Sequence, residues 1–574
     1  MIYPLILSSP SLQLRAEEDF SKGQIEVIVK FHGDLNAIAN RLNAVAERLN
    51  DNYAILTLPV QSIAELYRIP EVEYFELPKT MSYLLQNSLS RVCISPVQQK
   101  TSFGLSGKDV LVGIIDSGID YTNPDFRNPD GSSRILYLWD QTLTGTPPTG
   151  FRSGALYTKE DLDRALKSDQ PYADVPSQDL VGHGTAIAGI IASNGRGSGS
   201  MRSGAAPEVG LVVVKLGSAD RPGFSRSTEI MRGVKFVIDT ARDLGMPIAV
   251  NISYGTNEGA HDGNSLFERY LDSEAGRWKN VLCVAVGNEG SSGHHYRGTA
   301  KQGETQQVDF AIGGGVSRLY LSLWKNFTDN VEYELVGPSG RSTGSIASTQ
   351  SVTTATIDGT RVTVLYGQPN HYSTSQEVYF ALRGVSGTIP QGVWNLKVRG
   401  ERIVSGLYDI WMPLTDAVTR ETFFLNPDPE NTITIPATAQ SVISVGGYNA
   451  LLGSIADFSG RGEPYGVYGQ KPDLVAPAVG IMTSKVGGGY DTFSGTSVAA
   501  PFVTGAAALM MQWGIVQGND IFLYGQRVKA FLWQSASRES PGPYPNTEWG
   551  YGILNLCGTM NQLVAYNQAG GAFS

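Results

Sequence analysis

The sequence predicts an α/β fold built on a doubly wound parallel sheet, with a small α+β domain before it and a β-sandwich or jelly-roll domain inserted into it. Three observations support this prediction. Strand and helix patterns alternate up to about residue 80, continuous apolar strands alternate with helical patterns from about residue 105, and short alternating strands fill residues 300–432. With 574 residues, the chain is long enough for several domains.

The N-terminal region is predicted to form an open sheet with helices on one face. Its apolar residues alternate, or recur at helical spacing, in five segments that predict strand, helix, strand, helix and strand. These segments are 24–31, 35–50, 53–60, 62–69 and 72–78. The next stretch, residues 79–99, has no clear period and is predicted to be a linker.

From about residue 105, apolar runs end in turn residues and are separated by helical patterns. The runs are 110–118, 211–217, 247–255 and 281–288, and the helical patterns are 183–193, 227–244 and 265–278. Runs that are apolar throughout are typical of parallel strands covered on both faces. The functional residues of such a sheet lie in loops at the carboxyl ends of its strands.

Residues 300–432 follow a different pattern, in which short strands alternate polar and apolar residues and end at Gly, Pro, Asn or Ser. This pattern is typical of an antiparallel sandwich or jelly roll. The α/β pattern resumes at residues 438–449, which indicates that the β-rich block is an insertion into one domain.

Charge and composition argue against several function classes. The formal net charge is −10 and no basic stripe is visible, which argues against a nucleic-acid partner. No run approaches the roughly 18 apolar residues of a membrane span. The N-terminus lacks the basic region of a signal peptide, so we expect synthesis without secretion. Cys93, Cys283 and Cys557 are widely spaced and are expected to be free thiols in a reducing compartment.

Two residues at element boundaries suit acid–base chemistry. Asp116 ends the apolar strand VLVGIID, where a carboxylate can be partly buried and hold a histidine tautomer. The alternative is a turn aspartate that caps backbone amides, and we expect Asp120 to be a turn residue of that kind. His183 lies between two glycines at the start of an apolar helix, where other segments can approach its ring closely. The alternative is a buried, hydrogen-bonded histidine.

Ser497 and Asn288 are candidates for acyl-transfer chemistry. Ser497 starts the helix pattern GTSVAAP, where backbone N–H groups and the helix dipole favour a developing anion; the alternative is a plain N-cap. Asn288 follows an apolar strand, and its amide can donate to an oxyanion together with the Ser497 N–H; the alternative is an asparagine in a turn. A serine hydroxyl attacks only when a base, an orienting carboxylate and an oxyanion site accompany it.

These residues lie within a series of motifs that resemble those of subtilisin-like serine proteases, whose chain order is likewise Asp, His, Ser. The motifs are DSGID, GHGT, AAPEVGLVVVKL, NISYG, VAVGNEG, PDLVAP, SGTSVAAPFVTGAAAL and WGYGILN. The resemblance covers about residues 105–295 and 435–560. Chance agreement of so many ordered motifs is negligible.

The resemblance implies a serine endopeptidase that uses no cofactor. The implied catalytic residues are Asp116 as orienting acid, His183 as general base and acid, Ser497 as nucleophile and Asn288 as oxyanion donor. The implied substrate-binding residues are Ser253, Tyr254 and Gly255, which pair with the substrate backbone as an added strand, and Ala285, Val286 and Gly287, which wall the pocket for the P1 side chain.

The resemblance also implies that the N-terminal domain is a propeptide, a folding template that the protease removes from itself. Tyr83-Leu84-Leu85-Gln86 supplies an extended tail with Tyr83 at P4, and we predict cleavage after Gln86. Gln98 and Gln99 are the competing sites. The implied boundaries are 1–86 for the propeptide, 87–299 and 433–574 for the two parts of the subtilase domain, and 300–432 for the insertion.

The expected lack of a signal peptide, the complete catalytic set and the insertion after Asn288 together resemble the Csp germination proteases of spore-forming Clostridia. That resemblance implies a spore-associated enzyme that cleaves the zymogen of a cortex-lytic hydrolase and retains its cleaved propeptide noncovalently. The alternatives are a regulatory binding protein with a blocked cleft and a general degradative bacterial protease. No metal is expected, because the loop 193–207, where many subtilases bind calcium, has two arginines and no acid.

Overall fold

The structure, a computed structural model, describes residues 23–83, 92–199, 203–217, 225–346, 352–464 and 470–568. The chain divides into two compact units. The first unit comprises Met1–Thr80, Thr256–Leu266 and Glu289–Ile435, and therefore holds the N-terminal and the inserted domains. The second comprises Met81–Gly255, Phe267–Asn288 and Pro436–Ser574, and holds the parallel sheet.

The N-terminal domain is an antiparallel sheet of four strands in the order β2-β3-β1-β4. Its elements are β1 Gln24–Phe31, α1 Leu35–Leu42, β2 Val45–Arg48, β3 Tyr53–Pro59, α2 Ile63–Leu66 and β4 Val72–Glu76. Apolar residues of both helices, such as Ile38 and Ile63, share one buried core with Val27 and Leu56 of the sheet. This confirms the predicted α+β arrangement.

One predicted element of this domain is wrong. A single helix was expected over residues 35–50, but α1 ends at Leu42. Asn43 takes a left-handed backbone conformation, with φ 51°, and its N–H caps the carbonyls of the last turn. Residues Val45–Arg48 then pair with β3 as a strand. The apolar residues of this segment therefore belong to two elements, first the helix α1 and then the strand β2.

The first part of the second unit carries most of the parallel sheet. Its elements are β5 Thr80–Tyr83, α3 Ile94–Gln98, β6 Leu111–Asp116, β7 Ile135–Asp140, β8 Ala155–Thr158, α4 Lys159–Ala165, α5 Pro171–Asp174, α6 His183–Ala192, β9 Gly210–Lys215, β10 Ser225–Arg226, α7 Ser227–Asp243, β11 Ile248–Ile252, β12 Tyr254–Gly255, α8 Leu266–Glu274 and β13 Asn280–Ala285. The predicted linker over 79–99 thus contains a strand, β5, and a helix, α3. Both elements are too short, at four and five residues, to give a periodic pattern in the sequence.

The inserted domain is a sandwich of two antiparallel sheets, as its alternating strands predict. The strands are β14 His295–Thr299, β15 Thr305–Ile312, β16 Arg318–Asn326, β17 Asn330–Val336, β18 Val352–Ile357, β19 Thr360–Tyr366, β20 Ser375–Gly384, β21 Gly392–Arg402, β22 Leu407–Trp411 and β23 Phe423–Phe424. One sheet has the order β14-β22-β16-β20-β19-β18 and the other β17-β21-β15-β23. Side chains from both sheets, including Leu321, Phe380 and Trp394, meet in one core.

The remainder of the chain completes the second unit. Its elements are β24 Ile443–Asn449, β25 Ser454–Ile455, β26 Leu474–Pro477, β27 Ile481–Ser484, β28 Tyr490–Phe493, α9 Thr496–Met511, α10 Gly525–Ser535 and α11 Leu556–Gln568. The main sheet has the order β25-β24-β13-β11-β6-β9-β7-β8, and β26 pairs with β24. Its central pairs are parallel, and its outer strands β25 and β8 are antiparallel.

Helices cover this sheet on both faces. Val112 and Ile114 of β6 belong to a buried core that also includes α6 and α9. Gly113 points to the opposite face, where Val237 of α7 lies 3.1 Å from the position that a β-carbon would take. The sheet is therefore doubly wound, as predicted, and the carboxyl ends of β6, β11 and β13 are free to carry functional residues.

The cysteine prediction is wrong for two of the three residues. Cys93 and Cys557 form a disulfide, and Cys283 is a buried free thiol. The two partners are 464 residues apart, but Cys93 precedes α3 and Cys557 lies in α11, and these helices pack together. Disulfides persist in oxidising compartments. The pairing therefore removes the observation on which a reducing compartment was expected.

One helical stretch in the described part of the chain, Thr496–Val516, is long and apolar enough to cross a membrane. It consists of α9 and the turn of π-helix that follows, and almost all of its most apolar window is buried inside the protein. It is the central helix of the second unit, which accounts for its apolar composition.

Candidate active site

Asp116 and His183 meet where a strand ends and a helix begins. Asp116 is the last residue of β6, and His183 is the first residue of α6. The Nδ1 atom of His183 lies 2.6 Å from Oδ1 of Asp116, and both side chains are fully buried. A carboxylate in this position holds the proton on Nδ1 and leaves Nε2 as the basic nitrogen. The residues are thus arranged as an acid that orients a base.

The alternative interpretation of Asp116, a turn aspartate that caps backbone amides, describes only some of its contacts. Oδ1 of Asp116 does accept a backbone N–H, that of Ser117 at 2.7 Å, as a turn aspartate would. Asp120 is a buried turn residue as expected, and it accepts the N–H and the hydroxyl of Thr122. Only Asp116 also binds His183, so the two carboxylates of the motif DSGID have separate functions.

The glycine after His183 is required by a close backbone contact. A β-carbon at Gly184 would lie 2.0 Å from the carbonyl oxygen of Gly118, in the loop that follows β6. The loop after Asp116 therefore runs directly against the first turn of α6. This confirms the expectation for Gly184, while at Gly182 a β-carbon would meet no atom closer than 3.7 Å and glycine is favoured by the φ of 83° instead.

Ser497 is the second residue of α9, so the plain N-cap interpretation is wrong. The helix begins at Thr496 and its N-cap is Gly495. The Ser497 hydroxyl is buried and has no hydrogen-bond partner among the residues that the structure describes. Its main chain is held separately, because the Ser497 carbonyl accepts the Ser253 hydroxyl at 3.0 Å. The hydroxyl therefore makes no hydrogen bond to the described part of the fold.

Asn288 lies three residues after β13 and is fixed by Thr496. Its Oδ1 accepts the Thr496 N–H at 2.9 Å and the Thr496 hydroxyl at 3.1 Å. The same hydroxyl accepts the Gly287 N–H at 3.0 Å. Because the oxygen is occupied, the NH₂ group is the end of the side chain that is left to donate. Asn288 is thus tethered, through the residue before Ser497, as a donor beside the serine.

Sequence reasoning missed the contribution of Thr496. The residue is adjacent to Ser497 in the motif GTS, and that adjacency was the available signal. What the sequence alone does not contain is the contact with Asn288, which is 208 residues away. The side-chain orientation of Asn288, the predicted oxyanion donor, is therefore set by a residue that is identified only in the folded protein.

The predicted substrate-binding strand is occupied by the chain itself. Tyr254 and Gly255 of β12 pair antiparallel with Tyr83 and Ser82 of β5. On its other edge β5 pairs with β10, Ser225–Arg226, so that it is the middle strand of three. Two-residue strands have no periodic signal, which is why β10 was missed. The segment that follows the N-terminal domain in the chain thus lies along the strand that was expected to bind substrate.

Ser253 links this strand to the serine. Its hydroxyl accepts the side-chain amide of Asn251 at 2.9 Å and donates to the Ser497 carbonyl. The other oxygen of this network, Oδ1 of Asn251, accepts the Thr504 hydroxyl of α9 at 3.1 Å. Side-chain hydrogen bonds therefore fix the register between β11, β12 and α9.

The predicted wall of the P1 pocket lies at the end of β13. Ala285, Val286 and Gly287 are all buried. The Val286 N–H donates to the Val445 carbonyl at 3.2 Å, and the Gly287 carbonyl accepts the Gly460 N–H at 3.0 Å. These bonds join the segment to strand β24 and to the turn at Gly460, both in the second unit. Its role as a pocket wall stays a prediction.

The predicted cleavage site, Gln86, lies outside the described residues together with Leu84 and Leu85. The competing residue Gln98 is the last residue of α3, and its side-chain amide donates to the carbonyls of Gly204 and Ala205 at 2.8 and 2.9 Å. A protease cleft binds an extended segment. The helical position of Gln98 therefore disfavours it as a cleavage site.

The side chains that could bind a metal are dispersed. Within the described ranges, no group of three or more His, Cys, Asp or Glu residues is placed to hold a metal ion. The carboxylates nearest to Asp116 and His183 along the chain, those of Asp120 and Asp179, accept hydrogen bonds from protein groups on both of their oxygens.

Comparisons with known families agree with this geometry. The model of the Subtilase family matches residues 107–366 and 425–552, which together are more than half of the chain. The model of the Csp protease B prodomain matches residues 5–79, the region that includes the N-terminal domain.

Individual relatives are similar over large parts of the chain. The PI-type proteinase of Lactococcus lactis subsp. cremoris is 25% identical over 500 residues, which are 75% of this chain and 24% of the relative. The minor extracellular protease Vpr of Bacillus subtilis (strain 168) is 24% identical over 595 residues, covering 92% of this chain and 62% of the relative. The chain thus spans about a quarter of the lactococcal proteinase and under two thirds of Vpr.

Among solved structures, that of the Clostridium perfringens CspB protease is similar to this chain with a TM-score of 0.77. The two are 37% identical, and the match covers 82% of this chain and 96% of that protein.

Proposed function

The chain belongs to the subtilase family of serine endopeptidases, and on this premise we propose that it cleaves its own N-terminal propeptide after Gln86 with the residues described above. The observation that carries this proposal is the pairing of β5 with β12. Tyr83, three residues before the proposed cleavage site, lies in a strand against Tyr254, on the segment where the family resemblance locates the substrate backbone. A chain in this position is presented to the site as a substrate.

The proposed reaction is acyl transfer through Ser497. Its Oγ attacks the carbonyl carbon of Gln86 while His183 Nε2 takes the hydroxyl proton, and Asp116 stabilises the resulting imidazolium through Nδ1. The Asn288 amide and the N–H groups at the start of α9 stabilise the negative carbonyl oxygen of the tetrahedral intermediate. His183 returns the proton to the leaving amine of Asn87. Water then hydrolyses the ester in a second addition of the same kind.

We further propose that the enzyme activates a protein zymogen, a cortex-lytic hydrolase of the spore, during germination. The support is the match to the Csp protease B prodomain over residues 5–79 and the 37% identity to the CspB protease of Clostridium perfringens. In this proposal the chain is synthesised in the cytoplasm and associates with the spore. The activity on any partner other than the chain itself rests on these similarities.

A second candidate function is that of a self-processed protein whose propeptide stays in the cleft. The observation that favours it is the position of β5, which is paired on both edges, with β10 and β12. A middle strand exchanges its backbone hydrogen bonds with two neighbours, so that the cleaved fragment has more bonds to break before it leaves. In this case activity on other proteins begins only when the fragment is displaced.

A fluorophosphonate probe tests the proposed nucleophile. The probe reacts with an activated serine, so the purified wild-type protein is expected to be labelled on Ser497, and Ser497→Ala is expected to remain unlabelled. Ser494→Ala, three residues earlier and just before α9, serves as the matched control and is expected to label like the wild type. Equal labelling of the wild type and Ser497→Ala, or no labelling of either, would contradict the proposal.

The proposed substrate class is tested with two proteins in parallel. A cortex-lytic hydrolase zymogen is expected to be cut at one site by the wild type and to gain activity, while casein is left intact. General digestion of casein supports instead a degradative protease. Retention of the N-terminal fragment without cleavage of either protein supports the blocked-cleft candidate.

A further inference from the structure

We infer that Asp179 is a positioning residue for the proposed catalytic pair, Asp116 and His183, an inference that rests on the proposed function. Asp179 precedes His183 by four residues and is almost completely buried. Its carboxylate joins the segment that carries Asp116 to the helix turn that carries His183. It touches neither the substrate strand nor the reacting atoms in any contact of the described structure, so it acts through its neighbours.

The carboxylate of Asp179 accepts four hydrogen bonds. Oδ1 accepts the Ser117 hydroxyl at 2.7 Å and the Gly182 N–H at 2.8 Å. Oδ2 accepts the N–H and the hydroxyl of Thr185 at 2.8 and 2.7 Å. Ser117 directly follows Asp116, while Gly182 and Thr185 flank His183. One buried carboxylate therefore contacts both segments of the catalytic pair.

Two further bonds close this network. The Ser117 hydroxyl accepts the Gly184 N–H at 2.8 Å. The Thr185 hydroxyl accepts the Asp120 N–H at 2.9 Å. The loop after β6 and the first turn of α6 are thus joined at two hydroxyl groups. Asp179 orients each of them by accepting its hydrogen bond. The Nδ1–Oδ1 bond of 2.6 Å spans the same two segments.

Asp179 also supplies what the N-cap of α6 lacks. The N-cap is Gly182, which has no side chain to accept an amide of the first turn. The Asp179 carboxylate accepts the Thr185 N–H, the third amide of the helix, in place of an N-cap side chain. A carboxylate near a helix N-terminus is also favoured by the helix dipole. The first turn, which carries His183, is therefore ordered by Asp179.

Replacing Asp179 by asparagine introduces a donor where the carboxylate only accepts hydrogen bonds. Asparagine has the same shape, but its NH₂ must stand where one of the two oxygens was. In one orientation it faces the Gly182 N–H, and in the other it faces the Thr185 N–H. Either way one backbone amide beside His183 loses its acceptor and meets another donor, so that the turn must shift.

The test compares Asp179→Asn with Asp125→Asn. Asp125 is another almost fully buried carboxylate of the same unit, and it accepts the Gly197 N–H and the hydroxyls of Ser484 and Tyr490 at 2.7–2.8 Å. It contacts neither partner of the catalytic pair among the described residues. Its substitution therefore measures what the loss of a buried, hydrogen-bonded carboxylate does to stability alone.

The kinetic readout is the hydrolysis of a Tyr-Leu-Leu-Gln aminocoumarin peptide, per active site titrated with a fluorophosphonate, well below the Tm of each variant. Asp179→Asn is expected to lower kcat by about 10- to 100-fold and to leave KM within about twofold, as losses of orienting residues do. Asp125→Asn is expected to lower Tm by about as much as Asp179→Asn does, but to keep kcat within about twofold of wild type. Equal kcat losses in the two variants, or a wild-type kcat in Asp179→Asn, overturn the inference.

A second variant keeps the inference testable if Asp179→Asn does not fold. Ser117→Ala removes only the hydroxyl between Asp179 and the Gly184 N–H, and it is expected to lower kcat several-fold with KM unchanged. A wild-type kcat in Ser117→Ala then overturns the inference. If the wild-type protein itself does not hydrolyse the peptide or react with the probe, the proposed function has failed. Activity in the wild type with no effect of either variant counts against Asp179 alone.

Discussion

Single residues at this site take their function from their partners rather than from their type. Ser497 is one of two serines in the motif SGTS, and it differs from Ser494 in being the second residue of a helix with an uncommitted hydroxyl. Asn288 is oriented by Thr496, which accounts for the direction of its amide. Single substitutions can therefore test the proposed chemistry of each residue separately.

Replacement of Asn288 by alanine removes the proposed oxyanion donor. We expect kcat for the coumarin peptide to fall on the order of 10²- to 10³-fold with little change in KM, because the donor is needed for the charged intermediate. Asn280→Ala is the matched control. Asn280 begins β13, the strand that leads to Asn288, and its amide donates to the carbonyls of Glu274 and Trp278. A similar kcat loss in both variants would show that the effect comes from the fold.

At the scale of elements, the site is assembled from the ends of β6, β11 and β13 and the starts of α6 and α9. The motifs at those ends could be predicted from sequence, because each is local and the fold class determines where strand ends meet. The four residues of β5 have no pattern of their own, so only the family resemblance implied an extended tail, and that tail was expected to begin at Tyr83. The pairing of β5 with β10 and β12 could not be predicted. The break at Asn43 was missed because the apolar spacing of α1 continues beyond the cap.

The middle position of β5 predicts that its backbone holds the cleaved fragment. Ser82→Pro removes an N–H from a strand that is paired on both edges, which proline disfavours. We expect the N-terminal fragment to coelute with the protease in gel filtration of the wild type and of Ser82→Ala, but to be lost in part from Ser82→Pro. Equal retention in all three proteins would mean that β5 does not determine how tightly the fragment is bound.

The loop between β12 and α8 contains a buried histidine whose titration is coupled to stability. The ring of His261 stacks on Trp411 with centroids 4.2 Å apart, and its Nδ1 lies 2.6 Å from the Ile433 carbonyl. Burial lowers the pKa of His261 from 6.5 to about 4, although backbone hydrogen bonds oppose this shift. The unfolded chain therefore takes up a proton between these pH values that the folded chain does not.

The sign of this effect is a loss of stability as the pH falls from about 6.5 to about 4, on the order of 3 kcal/mol for this one group. Above pH 6.5 the histidine is neutral in the folded and the unfolded state, so it does not affect how the free energy of unfolding depends on pH. His261→Phe keeps an aromatic ring and should make the pH dependence shallower in urea unfolding. An identical slope in His261→Phe and wild type would refute the coupling.

At the scale of the whole molecule, contacts between residues far apart in sequence explain what motif analysis could not reach. The network around Asp179 and the Thr496–Asn288 contact both depend on the packing of distant segments. The disulfide between Cys93 and Cys557 is the most distant of these links. Spacing alone argued against pairing, since only the packing of α3 against α11 brings the two residues together.

The disulfide joins a segment near the start of the proposed mature enzyme to its last helix. A link of this kind typically contributes about 2–4 kcal/mol to the free energy of unfolding, so Cys557→Ser is expected to lower it by a similar amount. A thiol titration in denaturant should find one reactive cysteine, Cys283, before reduction and three after it. Three reactive thiols without a reductant would show that the pair is not oxidised.

Self-cleavage by Ser497 is tested by the intact mass of the purified wild type beside that of Ser497→Ala. We predict that the wild type gives two masses under denaturing conditions, those of residues 1–86 and 87–574, and that Ser497→Ala gives the single mass of all 574 residues. An uncleaved wild type, or a Ser497→Ala protein cut at the same bond, would contradict the account.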